Sequence, residues 1–136
     1  MFGPSIGFTG TQVGMTKAQR IAFRRLMIEL GPGEFHHGDC IGADADAHRI
    51  VQKYLPDCRI VIHPPIYESK RAFCQGAYRV EKAKDYLVRN RDIVASSSHL
   101  VATPKERDEQ LRSGTWNTVR YARKAGIAVT LILPNV

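Results

Sequence analysis

Short apolar runs of strand length alternate along this chain with longer stretches of helical spacing, and glycine repeatedly stands where a strand hands over to a helix. Ser5 to Thr9 reads as a buried strand ending at Gly10. Thr16 with Gln19 three residues on has the pattern of a capping box, and Ala18, Ala22, Leu26 and Leu30 follow at four-residue spacing until Gly31-Pro32-Gly33 ends the helix. Glu34 to His37 reads as a second strand. Gly38 to Gly42 then leads into a helix carrying Ala43, Ala47, Ile50, Val51 and Tyr54 along one side. Arg59 to His63 is a third strand, stopped by Pro64-Pro65. A βαβαβ order predicts a parallel sheet with right-handed crossovers and helices on both faces.

The second half continues the pattern. Lys84 to Ser97 is helical, His99 to Thr103 is a fourth strand, Thr115 to Ala125 is a helix closed by Gly126, and Ile127 to Leu133 is a fifth strand. The expected fold is therefore a three-layer α/β domain with a mainly parallel sheet of about five strands. At 136 residues, with no repeat and no linker, one domain over 1–136 is expected. Between Pro64 and Ala83 no period emerges, and so long an ordered connection in a compact domain is more often functional than idle.

No apolar run approaches the roughly 20 residues that span a bilayer, and Met1-Phe2-Gly3-Pro4 does not open a signal peptide, so a cytoplasmic protein without a membrane partner is expected. Cys40, Cys58 and Cys74 are widely spaced and read as reduced thiols. The five histidines give no metal-binding spacing, and no metal or cofactor is expected. His36 and His37 adjoin on a strand and so face opposite sides. A formal charge of +7 favours anionic partners, nucleotides or nucleic acid.

In an open parallel sheet ligands bind beyond the carboxyl ends of the strands. The glycine-bearing turns fall there: Gly10-Thr11 after the first strand, Gly38 to Gly42 after the second, and Ser113-Gly114-Thr115 after the fourth, with Thr118 one turn further along. Glycine lets the main chain approach a phosphate, and free N–H groups at a helix start favour its charge. Asp39, Asp44 and Asp46 around the second turn would repel a phosphate placed against them and suit either ribose hydroxyls or helix capping. Asn90 shares a helix face with Leu87 and Val94 and is expected to point inward. Arg89 and Arg91 flank it as candidate phosphate clamps, with Asp92 beside them.

These residues carry a resemblance. Gly7-Phe8-Thr9-Gly10-Thr11, His37-Gly38-Asp39-Cys40-Ile41-Gly42-Ala43-Asp44, Arg89-Asn90-Arg91-Asp92 and Ser113-Gly114-Thr115-Trp116-Asn117-Thr118 together resemble the Rossmann-like SLOG superfamily, which includes DNA-processing protein A and the Lonely Guy phosphoribohydrolases. The likeness is greatest to small stand-alone members, some of which accompany phage-defence genes. It implies a nucleotide-type ligand under the second and fourth strand ends, held by Gly10, Thr11, Gly38, Asp39, Cys40, Gly42, Ala43, Asp44, Asn90, Arg91, Ser113, Gly114, Thr115 and Thr118, often in a homodimer or higher oligomer. The Lonely Guy motif Pro-Gly-Gly-x-Gly-Thr-x-x-Glu ends in a catalytic Glu, and Thr118 stands at that position here.

Three functions follow as expectations. The first is a module that senses or sequesters a phosphorylated nucleotide or nucleotide-derived small molecule. The second is a nucleoside monophosphate N-glycosidase, with Asp44 and Asp92 as its carboxylates. The third is a nucleic-acid-binding protein, with Tyr67, Phe73 and Tyr78 stacking bases among Lys70, Arg71 and Arg79.

Overall fold

The computed structural model describes residues 3–135. Its strands are β1 (Ser5–Gly10), β2 (Glu34–His37), β3 (Arg59–Ile62), β4 (Arg79–Val80), β5 (His99–Thr103) and β6 (Ala128–Leu131), and its helices are α1 (Lys17–Leu30), α2 (Ala43–Tyr54), α3 (Tyr86–Ala95) and α4 (Gly114–Ala125). All strand pairs are parallel, in the order β4-β3-β2-β1-β5-β6. The expected α/β, Rossmann-like fold is present with six strands. The added one, β4, is a two-residue edge strand inside the aperiodic 64–83 segment, too short to show a period of two.

Alternation along the strands separates two apolar cores. Ile6, Phe8, Phe35, Ile60, Ile62 and Val101 face α1 and α2, whereas Leu100 and Ala102 face α3 and α4 with Ile93, Trp116 and Val119. On the first face Phe8, Phe23 and Phe35 meet at ring separations of 5.3 to 5.8 Å, an arrangement that adds edge-to-face attraction to the area they bury.

Helix α1 begins with the predicted capping box. Gln19 N–H donates to Thr16 Oγ1, and Thr16 N–H donates to Gln19 Oε1, both at 3.0 Å. Its buried face is nevertheless turned one position from the expected one. Gln19, Phe23 and Met27 are buried, while Ala22, Leu26 and Leu30 pack at the margin. Gln19 is tolerated inside because its amide donates to the carbonyls of Pro104 and Ile132, at 2.9 and 2.8 Å, tying α1 to the ends of β5 and β6.

A strap over residues 64–84 crosses the β2 and β3 ends. It is fastened by a bridge between Pro65 and Lys84 and another between Cys40 and Arg71. Among the described residues no helix is long and apolar enough to cross a membrane.

Candidate functional site

Strand β1 lies between β2 and β5, so the chain progresses outward in opposite directions on its two sides. Loops leaving such neighbouring strands diverge and open a crevice. Here Thr11 N–H donates to Thr103 O at 3.1 Å at the base of the split. A cavity of about 400 Å³ opens above it, between the turns after β1, β2 and β5 and the inner side of α3.

Of the residues expected at a ligand, Gly10, Thr11, Gly38, Cys40, Asp44, Asn90, Ser113, Gly114 and Thr115 line this cavity. Glycine at position 10 is required by close approach: a Cβ there would run into Ala43 Cβ and Thr103 Oγ1. At position 38 a Cβ would run into the Arg89 guanidinium.

Helix α4 brings its N-terminus to the cavity. Ser113 caps it, its Oγ accepting Trp116 N–H at 3.2 Å, and Ser113 O accepts Asn117 N–H. The amides of Gly114 and Thr115 donate to no group among the described residues. Two main-chain donors at the positive end of a three-turn helix thus stand unpaired at the wall of a cavity. Lys105 and Glu106, from the β5–α4 loop, line it beside them.

The other expected residues lie elsewhere. Asp39 is fully buried in a left-handed conformation (φ 55°) and clamps the strap, accepting from Arg71 Nε at 2.7 Å and from Cys74 N–H at 2.9 Å. Gly42 sits behind the cavity at φ 92°, where a Cβ would strike the carbonyls of Thr11 and Gln12. Ala43 is buried against Gly10. Arg91 points away, over the Tyr121 ring, and Thr118 Oγ1 is spent on Gly114 O at 2.9 Å. Asp92 is on the surface, paired with Lys84 Nζ at 2.7 Å. The helix-face assignment of α3 also shifts: Leu87 is exposed, and Arg89, Ile93 and Val94 face inward.

The arginine at the cavity is therefore Arg89. It is 5% exposed and donates to Gly38 O at 2.6 Å, His63 O at 3.1 Å and Asn90 Oδ1 at 2.8 Å, while its remaining nitrogen faces Cys40 Sγ at 3.6 Å. Tyr86 lies under the guanidinium, and Tyr67 of the strap stacks on Tyr86. Arg89 belongs to the quoted tetrapeptide, but only the spacing Arg89–Ile93, four residues apart, hints that it faces inward.

Asp44 lines the cavity and is buried. Its Oδ2 accepts Cys40 N–H at 3.0 Å. Burial raises its pKa to about 6 against the opposing pull of Arg89 and of main-chain donors, so near neutrality the carboxyl changes charge readily. Cys40, by contrast, is pushed up by burial and by the charge of Asp44, and stays a thiol. Cys58 and Cys74, free like Cys40, are pushed by burial to about 11 and about 12.

Histidines form two pairs on opposite sides of β2, as the strand geometry requires. His36 Nδ1 meets His63 Nε2, and His37 Nε2 meets His48 Nδ1, both at 2.8 Å. Asp39 N–H points at His37 Nδ1 at 2.9 Å, and His48 Nε2 faces the Gln75 carbonyl at 2.8 Å. These ends fix one direction for the chain: His37 Nε2–H donates to His48 Nδ1, and His48 Nε2–H donates to Gln75 O. Cys74 Sγ lies within 4.8 Å of both ring nitrogens, a grouping of metal-ligand type that spacing did not reveal. The Asp39 amide argues against a metal there, since it requires Nδ1 of His37 to be the acceptor and leaves the proton on the nitrogen that would bind the ion.

The chain is similar in structure to the molybdenum cofactor binding protein of the phototrophic bacterium Rippkaea orientalis, with a TM-score of 0.73 and 20% identity over 98% of this chain and 78% of that one. It is also similar to TM1055, with a TM-score of 0.67 and 15% identity over 93% of this chain and 72% of that one. At these identities the likeness is one of fold. No family model matches the chain, and no curated protein matches it in sequence.

Proposed function

We propose that the crevice between the β1, β2 and β5 turns binds a phosphorylated nucleotide or nucleotide-derived small molecule. The observation that carries this reading is the pair of unpaired amides, Gly114 and Thr115, at the N-terminus of α4 on the cavity wall. A phosphate accepts two main-chain N–H bonds there, aided by the helix dipole and by Lys105. The rest of the ligand lies toward Tyr86, Asn90 and Gln12, which supply an aromatic ring and amides suited to a base or a sugar. A volume of about 400 Å³ suits one such unit.

The resemblance of the glycine-bearing turns to the SLOG superfamily supports the same class. The fold is shared with a molybdenum cofactor binding protein, which supports a small-molecule ligand. The test is to denature the purified protein, identify released nucleotides and pterins by mass spectrometry, and titrate the emptied protein with the compound found. Recovery of none, with no saturable binding by a panel of nucleoside phosphates, would overturn the reading.

An N-glycosidase is the second reading, favoured by one observation. Two carboxyls, Asp44 and Glu106, line the cavity, and such a reaction needs a carboxylate to stabilise positive charge at the sugar. Asp92 has no part in it, being outside the cavity. Release of free base from nucleoside monophosphates, abolished in both Asp44→Asn and Glu106→Gln, would establish it over sequestration.

A further inference from the structure

Behind the turns that wall the first cavity is an open basin of about 520 Å³. Gln12 and Cys40 face the cavity, and the next residues of the same turns, Val13, Gly14, Ile41 and Gly42, face the basin. Three arginines from three segments line it: Arg20 of α1, Arg49 of α2 and Arg71 of the strap.

Each of the three is held by one nitrogen. Arg20 Nη1 donates to Met15 O at 2.7 Å, Arg49 Nη2 to Asp46 Oδ1 at 2.6 Å, and Arg71 Nε to Asp39 Oδ2 at 2.7 Å. Arginine carries five N–H donors, and the remaining ones on all three have no hydrogen-bond partner among the described residues, although the Arg71 guanidinium also lies over the Phe73 ring at 4.5 Å. Against them stand two carboxylates. Asp39 lies buried beneath, and Asp46 is occupied on both oxygens, by Arg49 and by Met15 N–H. Two of the three charges are balanced by these carboxylates and that of Arg20 is not, and a shared oxyanion would accept the free donors of all three in pairs.

We propose that this basin is a second phosphate-binding site, distinct from the crevice and separated from it only by the Gln12–Gly14 and Cys40–Gly42 turns. Its ligand is a phosphate monoester or diester, belonging either to a separate molecule or to a second phosphate of the molecule in the crevice. The site stands on its own residues and does not require the first cavity to bind anything.

The test is an NMR titration of the protein with inorganic phosphate, following Arg Nε–H signals and backbone amides. Saturable shifts are expected at Arg20, Arg49, Gly14 and Gly42. In the Arg20→Gln/Arg49→Gln double variant that response should weaken about tenfold, while any response at Gly114 and Thr115 stays unchanged. Arg71 is left in place because Asp39 is buried against it. Should the double variant fold poorly, Arg49→Gln alone, at a largely exposed side chain, should still weaken the response about threefold. No saturable shift in the basin at tens of millimolar phosphate, or a shift untouched by these variants, overturns the proposal. A response in the basin without one at Gly114 and Thr115 sinks only the reading of the crevice. Repeating the titration with dAMP and with the dinucleotide pApA separates the sources. Both groups of signals saturating together at one pApA per chain means one bridging ligand, and two equivalents of dAMP mean two separate ones.

Discussion

Arg89 reaches from α3 to the carbonyl of Gly38, 2.6 Å away, so a helix on one face of the sheet holds the turn that begins the helix on the other. The same guanidinium also takes His63 O and so gathers the ends of β2 and β3. Methionine at 89 keeps much of the volume but leaves these buried carbonyls without donors. Arg89→Met should lose roughly 2–4 kcal/mol of stability, measured by urea unfolding. It should also raise the Asp44 pKa further, measured by carboxyl NMR titration, because the cation opposing burial is gone.

Gly114 offers a sharper separation of binding from folding. It is the first residue of α4, a Cβ there meets nothing within 4 Å, and the preceding Ser113 has the extended conformation that proline demands of its neighbour. Gly114→Pro should therefore fold with unchanged or slightly raised stability. It removes one of the two free amides, and affinity for the phosphorylated ligand should fall about 10- to 100-fold, by calorimetry, as expected for one hydrogen bond to a charged group. Equal affinity in the variant would show that the phosphate lies elsewhere.

Asp44 should make affinity for a ligand in the crevice depend on pH. Its carboxyl is charged above about 6 and neutral below, and a neutral carboxyl no longer repels an anion in the same cavity. Binding of a phosphodiester ligand, which has no proton of its own to gain in this range, should tighten several-fold as pH falls from about 7.5 to 5.5. Asp44→Asn should bind with the low-pH affinity throughout and show a flat profile.

Stability should move the opposite way. Burial holds His37 well below its ordinary value and His63 at about 4. The unfolded chain takes up these protons near 6.5, so the stability they allow is complete above that pH and is lost as pH falls toward 4. Asp44 contributes with the reverse sign: its raised value favours the folded state below about 4, and that contribution is lost as pH rises toward 6. Several histidines against one carboxyl leave a net loss in acid. Melting temperature should fall from pH 7.5 to 4.5, and replacing His63 with glutamine should make the decline shallower.

Much of this was legible in the sequence because the signals are local. The capping box at Thr16 and Gln19 and the alternation of strands and helices arise from neighbours within a few residues, and the glycines at 10, 38, 42 and 114 stand out by their place at strand-to-helix turns. What escaped notice depends on distant partners. Arg89 is buried because carbonyls just past the ends of β2 and β3 await it, and Asp39 is a clamp because the strap folds back over it. Gln19 faces inward because β5 and β6 end beside it. Polar groups of this kind look like surface residues in a linear pattern, and only the assembled sheet supplies the acceptors that draw them in.

Every group that lines the crevice comes from the carboxyl side of the sheet or from α3, and the turns at the opposite rim contribute none. The exposed Pro56-Asp57 turn before β3 and the Gly126 turn before β6 lie on that far side. A dye, an affinity tag or an inserted peptide at either position would leave the binding chemistry alone, giving the molecule a built-in handle for immobilisation or for reporting ligand capture.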